Sequence, residues 1–270
     1  MIKMVVADLD GTLLKSDLSI SNQTIEAINQ LRDKGIIFTI ATGRPEQLVK
    51  EVVDNLNIDI PVIMYNGSVV GHPFQEERLF EKGLDQKTVK EIITYCEQEQ
   101  ITYMPYHRDM ILSHPNSRLS FYQKRNQKLP KKQRAVFKDI TSVEAIEKYI
   151  FHKILLIEYD HKRYDEITEK MQTYDGISVV ASNVGFIDIN PLGVSKGDGL
   201  KRLADYFNVS LDDIVVFGDQ DNDVSILAAA GIGVAMENAS KKAKKAADEI
   251  TDSNDEDGVA RWIIQHILKK

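Results

Sequence analysis

The N-terminal part of the chain alternates short apolar runs with amphipathic stretches. Residues 4–7, 36–41 and 61–64 are continuous or nearly continuous apolar runs. Such runs are typical of parallel strands that are buried on both faces. The first stretch between them has apolar residues at helical spacing, with Ser21 as a capping residue and Gly35 at its end. The order strand, helix, strand, helix, strand predicts right-handed crossovers and a parallel sheet.

The same alternation returns near the C-terminal end. Apolar runs at 214–217 and 232–235 predict two further strands, and amphipathic segments flank them. Residues 83–186 have a different pattern, in which strand-like runs are mixed with helical ones. We therefore predict an α/β protein whose core, residues 1–82 and 187–270, is a Rossmann-like, doubly wound parallel sheet. The segment between is long enough to be an inserted α+β domain with a small core of its own.

The charge balance limits the class of ligand. The chain has 34 Lys and Arg residues against 41 Asp and Glu residues, a formal net charge of −7. We expect no nucleic-acid partner, because affinity for a phosphate backbone requires a basic surface. We expect no membrane segment either, since no apolar run approaches about 20 residues. The single cysteine, Cys96, and the absence of room for a secretory signal before Asp8 predict a cytoplasmic protein.

Residues suited to catalysis occur at four points of the predicted core. Three of these points directly follow a predicted strand, and the fourth is Lys196. In an open parallel sheet, ligands bind outside the carboxyl ends of the strands, so the four points are expected to meet in one cleft. Four carboxylates would converge there, those of Asp8, Asp10, Asp219 and Asp223.

This convergence predicts a metal ion and a phosphoryl group. Several carboxylates within a few ångströms need a cation if they are to stay ionised. Carboxylate oxygens that leave room for water and phosphate suit Mg²⁺. Beside them are the hydroxyl of Thr42, the backbone N–H groups of Leu9 and Gly43, and the charge of Lys196. Such a set of donors is what a phosphoryl group requires.

Four motifs follow one another along the core. They are Asp8-Leu9-Asp10-Gly11-Thr12, Ala41-Thr42-Gly43-Arg44-Pro45, Ser195-Lys196-Gly197 and Gly218-Asp219-Gln220-Asp221-Asn222-Asp223. In this order they resemble the motifs of the haloacid dehalogenase superfamily, and most closely those of its Cof-type branch, the subfamily IIB sugar phosphatases. The resemblance extends to Tyr65-Asn66-Gly67. A lone Asp-x-Asp-Gly motif is a weak signal, whereas four motifs in order are specific.

The spacing of the motifs locates the inserted domain. Only 32 positions separate Asp10 from Thr42, enough for one helix and one strand. By contrast, 154 positions separate Thr42 from Lys196, far more than a crossover unit of about 30 residues. The insertion, residues 83–186, therefore lies between the second and third motifs. In this family that position implies a C2-type cap domain, which governs substrate specificity.

The resemblance also implies a mechanism and the residues that perform it. Asp8 is the implied nucleophile, which forms an aspartyl-phosphate, and Asp10 is the implied general acid and base. The implied ligands of Mg²⁺ are Asp8, Asp10, Asp219 and Asp223. The implied phosphate-binding residues are Leu9, Thr42, Gly43, Arg44, Lys196 and Asn222, and the implied substrate-binding residues are Asn66 and Gly67. The implied substrate is a small phosphorylated metabolite, above all a sugar phosphate.

Three alternative functions remain at this point. A phosphosugar mutase shares this core and cap class but passes the phosphoryl group to a second sugar hydroxyl. A signalling receiver also uses an aspartate nucleophile, a metal and a lysine, yet it needs only one small domain and no cap. A catalytically inactive binding protein predicts that one motif is lost, and here all four are present.

Two features have two interpretations each. Arg44 either contacts phosphate or pairs with an acidic residue near the start of the following helix. Residues 122–138 contain seven basic residues and no acidic one. This basic segment either attracts an anionic ligand or is a solvated loop, and its lack of periodicity favours the loop.

Overall fold

The computed structural model describes residues 1–108, 110–113, 124, 126–131, 134–139 and 146–269. The strands in chain order are β1 (Met4–Ala7), β2 (Ile37–Ile40), β3 (Val62–Met64), β4 (Val69–Gly71), β5 (Arg78–Glu81), β6 (Thr102–His107), β7 (Ile111–Ser113), β8 (Phe137–Asp139), β9 (Phe151–Ile157), β10 (Ile177–Asn183), β11 (Phe186–Pro191), β12 (Ile214–Gly218), β13 (Ile232–Ala235) and β14 (Glu249–Ile250). The α-helices are α1 (Asn22–Asp33), α2 (Glu46–Asn55), α3 (Gln86–Gln98), α4 (His161–Met171), α5 (Lys196–Phe207), α6 (Val224–Leu227), α7 (Lys241–Ala246) and α8 (Gly258–Ile263).

The core sheet is parallel, with strand order β14-β13-β12-β1-β2. Every residue of β1 is buried, as expected for a continuous apolar run that is covered on both faces. The predicted parallel α/β core is therefore confirmed. Helix α1 also begins at its predicted capping residue, Ser21, and the structure shows an equivalent cap at the start of α5. The Ser21 hydroxyl accepts a hydrogen bond from the Thr24 N–H at 3.0 Å, and Ser195 accepts one from the Asp198 N–H at 3.1 Å.

The inserted segment contains a sheet with strand order β10-β11-β9-β6-β7-β8. Its pairs are antiparallel except for β7 and β8. One face of this sheet packs on α3 and α4, where Cys96, Ile92 and Met171 join a buried apolar cluster. The α+β insertion that the sequence predicts is confirmed, and we call this segment the cap.

The end of the cap differs from the predicted position. Strand β11 pairs with β9 and β10, so it belongs to the cap sheet although it runs past residue 186. We propose that the cap ends after Pro191. No strand is predicted from the sequence at this position, although its apolar residues alternate with the polar Asp188 and Asn190, both of which are buried.

A small sheet of β3, β4 and β5 connects the core to the cap. The sequence predicts β3 as a third parallel strand, but a single bridge, from Ala41 to Ile63, joins it to the end of β2. Its continuous pairing is antiparallel, with β4. The turn between them has positive φ at Tyr65, Asn66 and Gly67. This turn reverses the chain and keeps Asn66 beside the end of the core sheet.

The basic segment lies partly outside the described residues, which exclude Arg125 and Lys132. Where it is described, the loop interpretation is wrong for Lys124 and Lys128, which are helical, and for Lys138, which is in strand β8. Across the described ranges, no helix combines the length and the apolar character needed to span a membrane.

Candidate active site

Neighbouring parallel strands bring the predicted acidic residues together. Ala7 lies opposite Phe217 in the register of β1 and β12, and the Asp8 N–H donates to the Phe217 carbonyl at 2.9 Å. Both strands therefore end at the same edge of the sheet. One carboxylate oxygen from each of Asp8, Asp219 and Asp223 lies within 4.8 Å of the others. Two chain segments more than 200 residues apart thus form one acidic cluster.

Lys196 is the buried cation of this cluster. Its Nζ lies 2.7 Å from Asp8 Oδ1 and 2.6 Å from Asp223 Oδ1, and the side chain is fully buried. Burial alone lowers the pKa of a lysine, but the two carboxylates outweigh it and raise the pKa of Lys196. Lys196 is the first residue of α5, where the helix dipole adds further positive potential.

Hydrogen bonds from neighbouring groups hold the carboxylates of Asp219 and Asp223 in place. Asp223 Oδ2 accepts hydrogen bonds from the N–H groups of Asp219 and Gln220, at 2.9 and 3.0 Å. The Thr12 hydroxyl donates to Asp219 Oδ1 at 2.7 Å. Asp223 is therefore fixed by Lys196 and by the turn after β12, whereas Asp219 is oriented by the motif that follows β1.

The cluster is short of positive charge. Burial is the main cause that raises the pKa of Asp8 well above its usual range, and Asp223 and Asp219 add to it. Burial and Asp223 raise the pKa of Asp219 to about 7. Lys196 alone cannot balance three buried carboxylates. The donor set consists of oxygen atoms at a short mutual distance, so it fits a hard divalent cation.

Asp10 points to a different partner. Arg44 contacts it through two hydrogen bonds, Nε to Oδ2 at 2.7 Å and Nη2 to Oδ1 at 2.5 Å. Burial opposes ionisation of Asp10, but Arg44 outweighs it and lowers the pKa of Asp10. Of the two interpretations of Arg44, the structure shows the pairing with an acid. That acid is the predicted general acid and base, not one near the start of α2.

The loop after β2 lies beside this pair. The Thr42 N–H donates to the Ile63 carbonyl at 2.8 Å, and the Thr42 hydroxyl accepts from the Arg44 N–H at 3.1 Å. A Cβ at Gly43 would lie 2.7 Å from Asn66 Oδ1, so a larger residue here would displace the Asn66 side chain. Leu9 is buried, and its carbonyl accepts from the Thr12 and Leu14 N–H groups, which turns the chain after Asp8.

Asn66 and Gly67, predicted to bind substrate, are occupied by structural contacts. Asn66 Oδ1 accepts from Asn222 Nδ2 at 3.0 Å, and its amide nitrogen donates to Asp188 Oδ2 at 2.8 Å. Gly67 has a φ of +99°, and a Cβ there would lie 2.1 Å from the Ser195 carbonyl oxygen. Gly67 thus lets the turn after β3 pack against the residue that caps α5. These contacts give both residues a role in holding the site together.

The sequence analysis missed Lys153 and Asp188, which connect the cap to this site. Lys153 Nζ lies 2.9 Å from Asp188 Oδ2 and donates to the Gly43 carbonyl at 2.8 Å. Both side chains are buried, and they come from the adjacent strands β9 and β11. Asn190, on β11 as well, accepts a hydrogen bond from Asn66 at 3.2 Å. Two features of the sequence could have indicated these residues. One is a lysine inside an apolar strand, and the other is the polar residues at alternate positions of β11.

A cavity of about 290 Å³ opens above these residues, between the core and the cap. Asp8, Asp10 and Asn222 line its floor together with the loop after β2. The cap contributes Lys153 and several apolar side chains to the opposite side. Six of the predicted site residues therefore border a space large enough for a ligand, and Asp8 is the member of the acidic cluster that reaches it.

Comparison with known proteins agrees with this arrangement. The model of the haloacid dehalogenase-like hydrolase family matches residues 5–263. The chain belongs to this family. It is 31% identical to the 5-amino-6-(5-phospho-D-ribitylamino)uracil phosphatase YwtE of Bacillus subtilis, over 97% of both chains. The family assignment and the match to a phosphatase confirm that this hydrolase is a phosphatase.

Solved structures of haloacid dehalogenase-like hydrolases have the same fold. One, from B. subtilis, has a TM-score of 0.86 and 29% identity, covering 98% of this chain and 100% of its own. Another, described as a subclass IIB sugar phosphatase, has a TM-score of 0.83 and 25% identity, covering 98% of both chains. Core and cap are therefore both shared, which confirms the predicted Cof-type, subfamily IIB assignment.

Replacing Lys153 by methionine tests the link between cap and core. We expect Lys153→Met to lower the free energy of unfolding by about 3–5 kcal/mol, because it leaves the buried Asp188 carboxylate without its cation. Urea unfolding followed by circular dichroism measures this change. In Lys153→Met/Asp188→Leu the loss should be smaller, since no uncompensated charge remains.

Lys90→Met is the matched control, because Lys90 forms an exposed ion pair with Glu147. Its removal should change the free energy of unfolding by about 1 kcal/mol or less. If Lys153→Met also lowered the free energy of unfolding by only about 1 kcal/mol or less, the buried ion pair would not stabilise the protein as described.

Proposed function

We propose that the protein is a Mg²⁺-dependent phosphatase that hydrolyses phosphomonoesters of small metabolites through an aspartyl-phosphate at Asp8. The observation that supports this most strongly is the position of Asp8. It borders the cavity, contacts the buried Lys196, and shares an acidic cluster with Asp219 and Asp223. A carboxylate held beside a cation at a cavity floor is suited to attack an anionic phosphorus centre.

The reaction has two displacements at phosphorus. In the first, an oxygen of Asp8 bonds to phosphorus as the bond from phosphorus to the alcohol oxygen breaks, and Asp10 gives the alkoxide a proton. In the second, water attacks the same phosphorus, Asp10 accepts a proton from it, and the bond to Asp8 breaks. The products are one alcohol and one inorganic phosphate, and the enzyme is regenerated.

Asp8, Asp219 and the backbone carbonyl of Asp10 would hold Mg²⁺, with Asp223 in support. The bound ion supplies charge that offsets the repulsion between the carboxylates and the phosphoryl group. Asp223 already accepts from Lys196 and from two backbone N–H groups, which suits it to orient the cluster.

The phosphoryl oxygens would bind at the loop after β2 and around it. Thr42 supplies a hydroxyl, Gly43 and Leu9 supply N–H groups, and Lys196 and Asn222 supply side-chain donors. Arg44 joins them once it leaves Asp10. The movement of Arg44 away from Asp10 also prepares Asp10 for the first displacement. Asp10 is ionised while it is paired with Arg44, and it must carry a proton to act as the acid.

We propose a small phosphorylated metabolite as the substrate, with sugar phosphates as the class predicted from the sequence. One structural neighbour is described as a sugar phosphatase, while the relative YwtE is named for an ester that combines a ribityl chain with a uracil ring. These two proteins differ in leaving group, and we propose that in this protein the cap, which lines the side of the cavity opposite Asp8, selects it. We place the activity in the cytoplasm, where a lone buried thiol such as Cys96 stays reduced.

Asp8→Asn tests the nucleophile. We expect phosphate release from acetyl phosphate to fall by at least about 10³-fold, because an amide cannot form the acyl phosphate. A malachite-green assay for inorganic phosphate measures this, and urea unfolding shows whether the variant stays folded. Residual activity within tenfold of the wild-type rate would contradict the role of Asp8.

Asp10→Asn separates the two displacements. With p-nitrophenyl phosphate, whose leaving group needs no proton, we expect a burst of one equivalent of nitrophenolate followed by slow turnover. With an alkyl phosphate, the first displacement itself should slow by about 10²–10⁴-fold. Stopped-flow absorbance and quenched phosphate assays measure the two cases. Equal slowing of both substrates without a burst would contradict the role of Asp10.

Asp219→Asn tests the metal site without an activity measurement. We expect Mg²⁺ to raise the free energy of unfolding of the wild type, by about 2.7 kcal/mol at 100 times its dissociation constant. Asp219→Asn should shrink this increment while leaving the metal-free protein at least as stable, since it removes a repelled buried charge. The exposed Asp175→Asn is the control and should keep the full increment. An unchanged increment in Asp219→Asn would exclude Asp219 as a ligand.

A further inference from the structure

Apolar side chains from five adjacent strands of the cap sheet face the cavity. We call these residues the cap wall. They are Met104 and Tyr106 on β6, Ile111 on β7, Phe137 on β8, Leu155 on β9 and Phe186 on β11. The catalytic residues lie at the other end of the cavity, on the core.

Strand register makes the cap wall one continuous surface. Met104 lies opposite Leu155, and Tyr106 lies opposite Ile111, which in turn lies opposite Phe137. Side chains alternate between the faces of a strand, so the residues between them point the other way. Tyr103, Leu112 and Leu156 accordingly pack on the side of the cap helices. The apolar character of the cap wall is thus separate from the cap's own core.

Polar side chains also line the cavity, among them Ser182 and Asn183 on β10 and Gln47 and Glu51 on α2. Lys153 is hydrogen-bonded to Asp188 and to the Gly43 carbonyl. Both ends of the Asn126 amide are bonded to the backbone of Ala135, at 2.7 and 2.8 Å. On the core side, Leu18, Pro45 and Leu48 add further apolar surface. A leaving group that lies against the cap wall therefore meets apolar side chains there, while polar groups lie on β10, on α2 and at the phosphoryl end.

We propose that the preferred substrate is a phosphomonoester whose leaving group carries a planar, largely apolar ring that packs on the cap wall. This inference rests on the phosphatase function proposed above and narrows its substrate class. A bare sugar would lose hydrogen bonds from water to its hydroxyl groups and regain few from these side chains. A flat ring, by contrast, fits the face of a sheet and packs against Phe186 and Leu155, which lie on the adjacent strands β11 and β9.

Three primary phosphate esters that differ only in the ring test the proposal. They are benzyl phosphate, cyclohexylmethyl phosphate and glucose 6-phosphate, each with a six-membered ring one carbon from the ester oxygen. We expect kcat/KM for benzyl phosphate to exceed that for glucose 6-phosphate by at least about tenfold. We expect cyclohexylmethyl phosphate to fall between them, because its ring is apolar but not flat. Phosphate release in the presence of Mg²⁺ measures all three.

The outcomes separate this inference from the function on which it rests. Acetyl phosphate has no ring, so its hydrolysis reports the phosphoryl chemistry alone, and failure to release phosphate from it and from all three esters would overturn the proposed function. If acetyl phosphate is hydrolysed and glucose 6-phosphate matches or exceeds benzyl phosphate, the inference alone is overturned. It is also overturned if cyclohexylmethyl phosphate equals benzyl phosphate, because the cavity then does not select a planar ring.

A variant of the cap wall localises the effect. Phe186 is only partly buried and lies at the start of β11, so Phe186→Thr preserves a residue suited to a strand. We expect it to lower the ratio of kcat/KM for benzyl phosphate over acetyl phosphate by at least about fivefold. The matched control is Phe74→Thr, which removes an exposed phenyl group outside the cavity and should keep the wild-type ratio. An unchanged ratio in Phe186→Thr would contradict the proposed contact.

Discussion

The buried negative charge at the ends of β1 and β12 is the constraint on which the rest of the site depends. Three carboxylates lie within 4.8 Å of one another, and one lysine, fully buried, contacts two of them. Such a cluster is unfavourable unless cations compensate it. The parallel register, the glycine turn against Ser195 and the start of α5 all serve to place Lys196 there. The same shortage of positive charge makes the cluster a site for a metal ion and a phosphoryl group.

The core and its catalytic residues are predictable because their signals are local. A short apolar run followed by Asp8 and Asp10 indicates a buried strand that ends in a site, and capping residues such as Ser21 and Ser195 mark where helices begin. Strand order is equally constrained, since parallel strands joined by helices place their carboxyl ends at one edge. The pairing of Arg44 with Asp10 is not local, because it depends on where two loops meet in space.

The cap was predicted as a domain that governs substrate specificity, but the residues that form its binding surface were not. In the sequence, Lys153 is an isolated charged residue within an apolar strand. Its partner Asp188 lies on a strand that was not predicted. Their pairing depends on the antiparallel order of β9 and β11, for which a single sequence gives no signal. The cap wall is hidden for the same reason. Its members come from five strands, and only the register shows that they share a face.

The central claim is that Asp8 becomes phosphorylated during turnover. The most direct measurement is acid quenching during steady-state hydrolysis, followed by borohydride reduction, which converts an aspartyl-phosphate to homoserine, and peptide mass spectrometry. Our account predicts homoserine at position 8 in the presence of substrate and Mg²⁺, and none when substrate is omitted. Modification of a different aspartate, or rapid phosphate release without modification at position 8, would contradict it.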